Sequence, residues 1–401
     1  METPMQTDKK AIRDVLSRQV AEVLPDRKGL SKLMAEKKIR LYLGVDPTSP
    51  NLHLGHAGVL RKLREFQNLG HEVALIFGTF TAQIGDPSGR DKQREPLSPE
   101  KIQENMKTYQ TQAGHILDMR RTKILYNGDW LGKLTFTEVL KLASYFTTSQ
   151  MLERDMFQKR IEQGSEIWLH ELLYPLMQGY DSVAADVDLE IGGTDQTFNM
   201  LVGRRLQKLY RNKEKYVLSV PLLMGLDGRK MSKSYGNAVN LTDSAHDMYG
   251  KLMSLRDEHI LPYFEAATDL SRQEVRKIER RMNKETVSPR DAKALLAKTI
   301  TALYHGDKES QEAEHAFERV FREKQEPERM PIWRATQTSS SLGDLLVAAG
   351  LASSKSDARR LAEQGGVKIN GHIQKDSSTQ IQLAQDLVIQ VGKRRFIRVK
   401  V

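Results

Sequence analysis

The 401-residue sequence contains no cysteine. Disulfides, thiolate zinc sites and thiol nucleophiles are therefore excluded, and a metal site would have to be built from histidine and carboxylate ligands. Long apolar runs are missing too. Val73–Phe77 (VALIF) is typical of the longest, far below the roughly 18 residues of a membrane helix. The N-terminus carries Glu2, Asp8 and Asp14 among its lysines and arginines, unlike a secretory signal or an acid-poor transit peptide. These absences point to a cytoplasmic chain with no membrane partner. Negative charge is in deficit: 62 Lys and Arg stand against 52 Asp and Glu, a net charge of +10. That excess favours an anionic partner such as nucleic acid, which basicity alone does not establish.

Three segments differ in pattern. Over residues 39–223, β-prone runs (IRLYLGVD, HEVALIFGTF, KILYNGD, KYVLSVPLL) alternate with helical ones. The alternation predicts an α/β fold, a parallel sheet covered by helices, with its ligand beyond the carboxyl ends of the strands. LHLGHAGVLRKLREFQNLGH reads as a helix closed by Gly70, with Leu60, Leu63, Phe66 and Leu69 on its apolar side. From 244 to 330 the strand signal vanishes. Ser288 and Pro289 open a helix that Gly306 ends, so this part reads as an all-helical domain after a catalytic domain spanning 1–243. Prolines, charges and serines around 331–340 read as a linker. Residues 341–401 form a small basic α+β module: two short helices, a hairpin at Asn370-Gly371 suited to a type I′ turn, and further strands. Residues 338–401 hold ten Lys or Arg and five Asp or Glu, half of the net charge in about one-sixth of the chain.

Two stretches carry chemistry. GVDPTSPNLHLGH (44–56) places His53 and His56 three apart where a loop opens a helix. The free N–H groups and the helix dipole make such a start an anion site, and Gly55 lets a ligand approach the backbone. Imidazoles there can donate to a phosphate. A structural role stays open, and a metal is disfavoured because helical ligand pairs are spaced i, i+4. GLDGRKMSKS (225–234) carries Lys230 and Lys233 among glycines, where mobile ammonium groups can follow a departing pyrophosphate; alone it would read as a solvated basic loop. YPLMQGYD puts Tyr174, Gln178 and Asp181 on one helical face. LYLGVD turns Tyr42 and Gly44 to one side of a strand, and the GDPSG (85–89) and IGGTDQ (191–196) turns expose Asp86, Asp195 and Gln196.

The histidine and lysine motifs, in this order and about 175 residues apart, resemble the paired signatures of class I aminoacyl-tRNA synthetases. Together with the other stretches they resemble the bacterial tyrosyl-tRNA synthetases over nearly the whole chain, and the tail resembles the RNA-binding module shared with a ribosomal small-subunit protein. The resemblance implies a Rossmann-like catalytic domain with a dimerisation insertion around 133–160, an anticodon-recognising helical domain and a homodimer. It implies that Tyr42 and Asp181 hold the substrate phenol. Asp86, Tyr174 and Gln178 hold its ammonium, with Gln196 beside them. Gly44, Asp46, Gly55, Gly193 and Asp195 serve the ribose and adenine. Thr48 and His53 serve the α-phosphate with His56 near the nucleotide, Lys230 and Lys233 the pyrophosphate, and Met231, Ser232 and Ser234 belong with them to the ATP site. ATP would be a substrate with Mg²⁺ on its phosphates and no protein metal cage. The tRNA would be met by Arg359, Arg360, Lys368, Arg394 and Arg395. Leu43 departs from relatives with cysteine beside the ribose. A tryptophanyl enzyme, a simpler nucleotidyltransferase and a non-catalytic synthetase shell are the rivals. The first gives no reason for Asp181, the second leaves the helical domain and tail superfluous, and intact histidines and lysines oppose the third.

Overall fold

A computed structural model describes residues 5–88, 96–232, 235–322, 330–335, 337–392 and 395–400. Gly89, Lys233, Ser234 and Arg394, to which the sequence assigns turn, phosphate or RNA roles, lie outside the described residues. The chain divides into two compact units, Met1–Asp307 and Lys308–Val401.

The first unit is built on a six-stranded sheet. Its strands are β1 (Glu22–Leu24), β2 (Arg40–Val45), β3 (Glu72–Phe77), β4 (Thr122–Tyr126), β5 (Leu189–Gly193) and β6 (Tyr216–Val220), in the order β1-β6-β5-β2-β3-β4. All neighbours run parallel except β1, which pairs antiparallel with β6. Val73 to Phe77 of β3 are all buried, the mark of a parallel strand covered on both faces. The β2 chain goes on to β3 and β4 on one side, whereas β5 lies on its other side. The crevice at such a reversal, beyond the strand ends, is where open α/β sheets take ligands. Two strands escape the sequence pattern. β1 is only three residues long, and β5 carries Glu190 and two glycines, so its end reads as a turn.

The helix after β2, Leu54–Asn68, buries Leu60, Leu63 and Phe66, and the chain leaves it through Gly70 at φ 86°. Helices Leu169–Ala185 and Thr197–Arg211 share an apolar cluster that includes Leu176, Val183, Val202 and Leu206. Past the sheet, Ser288 caps helix Pro289–His305 and Gly306 ends it at φ 92°, as its sequence predicts. The helices from Ala245 to His305 belong to the same compact unit as the sheet, while Asp307–Arg322 runs into the other. Helix Ile260–Ala267 buries Ile260, Tyr263, Phe264 and Ala267, and a Cβ on Gly58 would stand 3.7 Å from Ala266. Arg61 and Arg64 both pair with Asp269.

The second unit contains a five-stranded sheet of β7 (Ile332–Arg334), β9 (Val367–Ile369), β10 (His372–Gln374), β12 (Val388–Val391) and β13 (Arg395–Lys400), ordered β10-β9-β12-β13-β7. A two-stranded ribbon joins β8 (Ser339–Ser341) to β11 (Gln380–Gln382). Helices Leu342–Ala348 and Lys355–Glu363 complete the core. Within 331–340, read from the sequence as a linker, the described residues supply β7 and part of β8; Trp333 and Ala335 pack on this core, and Ala335 N donates to Lys400 O at 2.8 Å. Asn370 at φ 46° and Gly371 at φ 81° turn the β9–β10 hairpin.

Candidate active site

His53 sits in extended backbone at the start of helix Leu54–Asn68. Its N–H donates to His56 Nδ1 at 3.2 Å, and the two rings lie 3.8 Å apart. That bond leaves the His56 proton on Nε2. His53 Nδ1 is buried without a partner among the described residues. Burial, followed by the charge of Lys230, holds His56 at about 4. Burial, then His56 and Lys230, holds His53 at about 2. Both imidazoles are therefore neutral near pH 7. A Cβ on Gly55 would stand 3.0 Å from His53 Cε1 and Nδ1 and 3.8 Å from Met231 Sδ, so glycine is what lets the ring fold over its own helix start. Among the described residues no group of three or more His, Asp or Glu could hold a metal ion.

The lysine loop reaches the same cleft. Lys230 Nζ binds Asp195 Oδ2 at 2.5 Å, linking the residues read as pyrophosphate and ribose ligands. Met231 is buried, and Ser232 N donates to Asn237 Oδ1 at 2.8 Å. Asp46, after β2, accepts from Thr81 Oγ1 at 2.7 Å and from the Tyr174 hydroxyl at 2.9 Å. Thr48 lies in the same loop, its N–H on Asp46 O at 2.8 Å. Gly44 is exposed, and a Cβ there would have only Tyr42 Cε2 nearby, at 3.8 Å. Gly193 ends β5 at the other edge of the cleft.

The residues read as the amino-acid pocket converge from four elements. Tyr42, fully buried on β2, shares a hydrogen bond with Ser182 Oγ at 3.0 Å. Asp181, one residue earlier on helix Leu169–Ala185, accepts from Trp130 Nε1 at 2.8 Å and Asn127 Nδ2 at 3.2 Å. Burial pushes the Asp181 carboxyl well above its ordinary range against those two donors. Burial, then the charges of Glu190 and Asp181, likewise raises the Tyr42 hydroxyl. Tyr42 and Asp181 thus lie in electrostatic reach, each held by its own partners. Farther along, Gln196 Nε2 donates to Asp86 Oδ2 at 2.8 Å, and Asn199 Nδ2 reaches Gln178 Oε1 at 2.8 Å and Gln196 Oε1 at 3.2 Å.

Asn127, Trp130 and Asn199 escaped the sequence reading, as did Arg154. The Arg154 guanidinium is buried and lowered to about 10 by that burial. It donates through Nη2 to Ser88 Oγ at 2.6 Å and lies 4.9 Å from the Phe198 ring. No local pattern marks these positions, which only the tertiary fold brings together. In the second unit Arg359 and Arg360 are exposed but paired, with Glu363 at 2.8 Å and Asp357 at 2.6 Å. Lys368 is half-buried on β9, and Arg395 donates to Leu351 O at 2.8 Å.

A parallel sheet with a histidine-bearing helix start, a lysine loop and a polar pocket at its switch point is the frame of a nucleotide-activating ligase. Residues 34–322 match the class I tRNA synthetases (W and Y) and residues 342–388 the S4 domain, so the chain belongs to that synthetase family. Relatives that match it over nearly the whole chain include tyrosine–tRNA ligases. It is 48% identical to that of Thermotoga maritima, over 96% of both chains, and 45% identical to that of Moorella thermoacetica, over 96% of this chain and 94% of the relative. The fold is that of a truncated Aspergillus nidulans mitochondrial tyrosyl-tRNA synthetase (TM-score 0.64, 24% identity, 78% of this chain and 99% of that one). It is also that of the Archaeoglobus fulgidus tyrosyl-tRNA synthetase solved with L-tyrosine (TM-score 0.62, 23% identity, 77% and 100%).

Proposed function

We propose that the chain activates L-tyrosine with ATP, forming tyrosyl-adenylate and pyrophosphate, and then transfers tyrosine to the terminal ribose of its tRNA. The observation that carries the reading is the buried Asp181, an acceptor at the floor of a pocket whose other end gathers Asp86, Gln178 and Gln196. An acidic floor suits a phenol hydroxyl but accepts from an indole N–H as well, as it does from Trp130, so tyrosine is favoured over tryptophan by the tyrosine–tRNA ligase relatives together with this floor.

The substrate carboxylate is already a nucleophile at neutral pH, so no general base is needed for attack on the α-phosphorus. The enzyme must supply orientation and positive charge at the leaving group. Asp86, Tyr174 and Gln178 hold the ammonium, and Tyr42 and Asp181 the phenol. Gly44, Asp46, Gly193 and Asp195 take the ribose and adenine. His56, neutral with its proton on Nε2, donates to the nucleotide, while Thr48 and His53 line the α-phosphate. Lys230 exchanges Asp195 for the β- and γ-phosphates as ATP arrives and follows them as pyrophosphate departs, with Lys233 assigned the same role. MgATP enters as the substrate, its metal carried by the phosphates. Phenylalanine brings no hydroxyl to Asp181, which keeps only Trp130 and Asn127 as donors. Rejection by ~10⁴–10⁵ without editing is the magnitude measured for a tyrosyl enzyme.

In the second unit, Arg359, Arg360, Lys368 and Arg395 meet tRNA phosphates. Two copies of the chain associate through the segment around 133–160, supported by the 77% exposed Phe136 and 55% exposed Leu140 on one short helix. The cytoplasm is the compartment of the proposed reaction. Among the described residues no helix is long and apolar enough to cross a membrane. ATP–pyrophosphate exchange measured with each of the twenty amino acids tests the reading. Exchange driven by tyrosine supports it, and exchange driven by tryptophan alone overturns it.

A further inference from the structure

Behind the pocket lies a buried ion pair that the reaction scheme does not use. Lys215 at the edge of β6 is fully buried, and Glu190 on the neighbouring β5 is 1% exposed. Lys215 Nζ binds the Glu190 carboxylate, Ser182 Oγ at 2.7 Å and Met200 O at 3.1 Å, which uses all three of its protons. The helix Thr197–Arg211 makes room for this cluster at Gly203, where a Cβ would stand 2.5 Å from Lys215 Nζ and 2.7 Å from Ser182 Oγ. A buried pair of this kind adds little to stability against an apolar substitute. Its connections account for it better.

Two arms leave the pair. One runs from Lys215 through Ser182 to the Tyr42 hydroxyl, 3.0 Å from Ser182 Oγ. The other runs from Glu190 Oε1, which accepts from Gln178 Nε2 at 3.0 Å. A carboxylate only accepts, so it admits one orientation of the Gln178 amide. The carbonyl Oε1 must then turn the other way, where Asn199 donates to it and a lone pair remains for a cation. A neutral amide at position 190 would allow both orientations. Flipped, Gln178 would present its NH₂ group to the substrate ammonium.

We infer that Glu190 and Lys215 are positioning residues for the amino-acid substrate, the first orienting Gln178 for the ammonium and the second anchoring Tyr42 through Ser182 at the phenol end. The inference rests on the tyrosine reading of the pocket and deepens it.

Single loss of Lys215 would strand a buried carboxylate, so the informative set is Glu190→Gln, Ser182→Ala and the double variant Glu190→Gln/Lys215→Met. Exchange is measured against tyrosine, phenylalanine and ATP, with thermal melts as the folding control. Glu190→Gln and the double variant should raise the KM for tyrosine roughly tenfold, the weight of one hydrogen bond to a charged group at its lower end. The KM for ATP and the saturating rate should hold. Ser182→Ala should narrow the preference for tyrosine over phenylalanine roughly three- to tenfold, and Ser182→Thr should restore it. Folded variants with wild-type tyrosine KM and wild-type discrimination overturn the inference while leaving the tyrosine reading intact. A wild-type chain that tyrosine does not stimulate overturns both. If the double variant does not fold, the two single variants decide by the same measures.

Discussion

Replacing Asp181 by asparagine tests the pocket floor with almost no change of volume. The carboxylate now accepts from Trp130 and Asn127, and both donors are fixed. Asn127 cannot turn its amide, because its Oδ1 accepts from Phe80 N at 2.9 Å while Nδ2 also reaches Thr81 Oγ1 at 2.9 Å. An asparagine at 181 must therefore set its own NH₂ against one of these donors, and it offers a phenol a weaker, uncharged acceptor. A hydrogen bond to a charged group contributes about 1.5–3 kcal/mol, so kcat/KM for tyrosine should fall roughly 10- to 150-fold. Phenylalanine never makes that bond, and its kcat/KM should stay nearly level, so the discrimination ratio shrinks by the same factor. Pyrophosphate exchange with both amino acids measures this directly. A parallel fall for tyrosine and phenylalanine would mean that Asp181 supports the fold and not the phenol, and the argument would fail.

The remaining expectations concern pH, the lysine loop, the RNA face and the subunit contact. His53, His56 and His71 are depressed to about 2, about 4 and about 4, each by burial first. Since an unfolded histidine titrates near ~6.5, protons load the unfolded chain first; stability is full above about pH 6.5 and drains away towards pH 4. Urea unfolding at pH 7, 6 and 5 should show this, and His71→Gln should flatten the slope by about 1.4 kcal/mol per pH unit; an unaltered slope contradicts the assignment. Lys230→Ala frees Asp195 and should slow adenylate formation about 10²-fold with little change in tyrosine KM, as read by single-turnover kinetics. A raised tyrosine KM with a normal rate would place Lys230 elsewhere. Alanine at Arg359 or Arg360 should weaken tRNA binding and lower the slope of log K against log salt by about one. Filter binding across a salt series that leaves the slope unchanged would remove that arginine from the interface. Phe136→Asp should turn a dimer into monomers in sedimentation, and a wild-type chain that sediments as a monomer refutes the proposed contact.

How much of this could be read from the sequence divides along a physical line. β3 was legible because five consecutive apolar residues between turn signals admit few alternatives. The helix Pro289–His305 was legible because Ser288, Pro289 and Gly306 mark both its ends. The row Tyr174, Gln178 and Asp181 was legible because helical spacing alone puts them on one face. By contrast, the prolines, charges and serines of 331–340 give no local sign that Trp333 finds a core to pack on. β5 was hidden because an acidic residue and two glycines violate strand propensity. The polar groups that hold the pocket residues were hidden for a different reason. Asn127 meets Asp181 from 54 positions away, and Lys215 meets Glu190 from 25, so no local window contains the pair.

Those hidden groups are also the ones that break local rules. A glutamate in the middle of a buried strand, a lysine with no exposed surface and a glycine inside the helix Thr197–Arg211 each look like an error when taken alone. Together they solve one problem, because the lysine balances the glutamate and the glycine leaves space for both. Natural sequences depart from local consistency mainly where function requires it. A charged residue in a strand that leads into a glycine pair at the sheet's switch point is therefore a usable sequence signal. It marks a strand with a compensating charge buried behind it, here Lys215 behind Glu190.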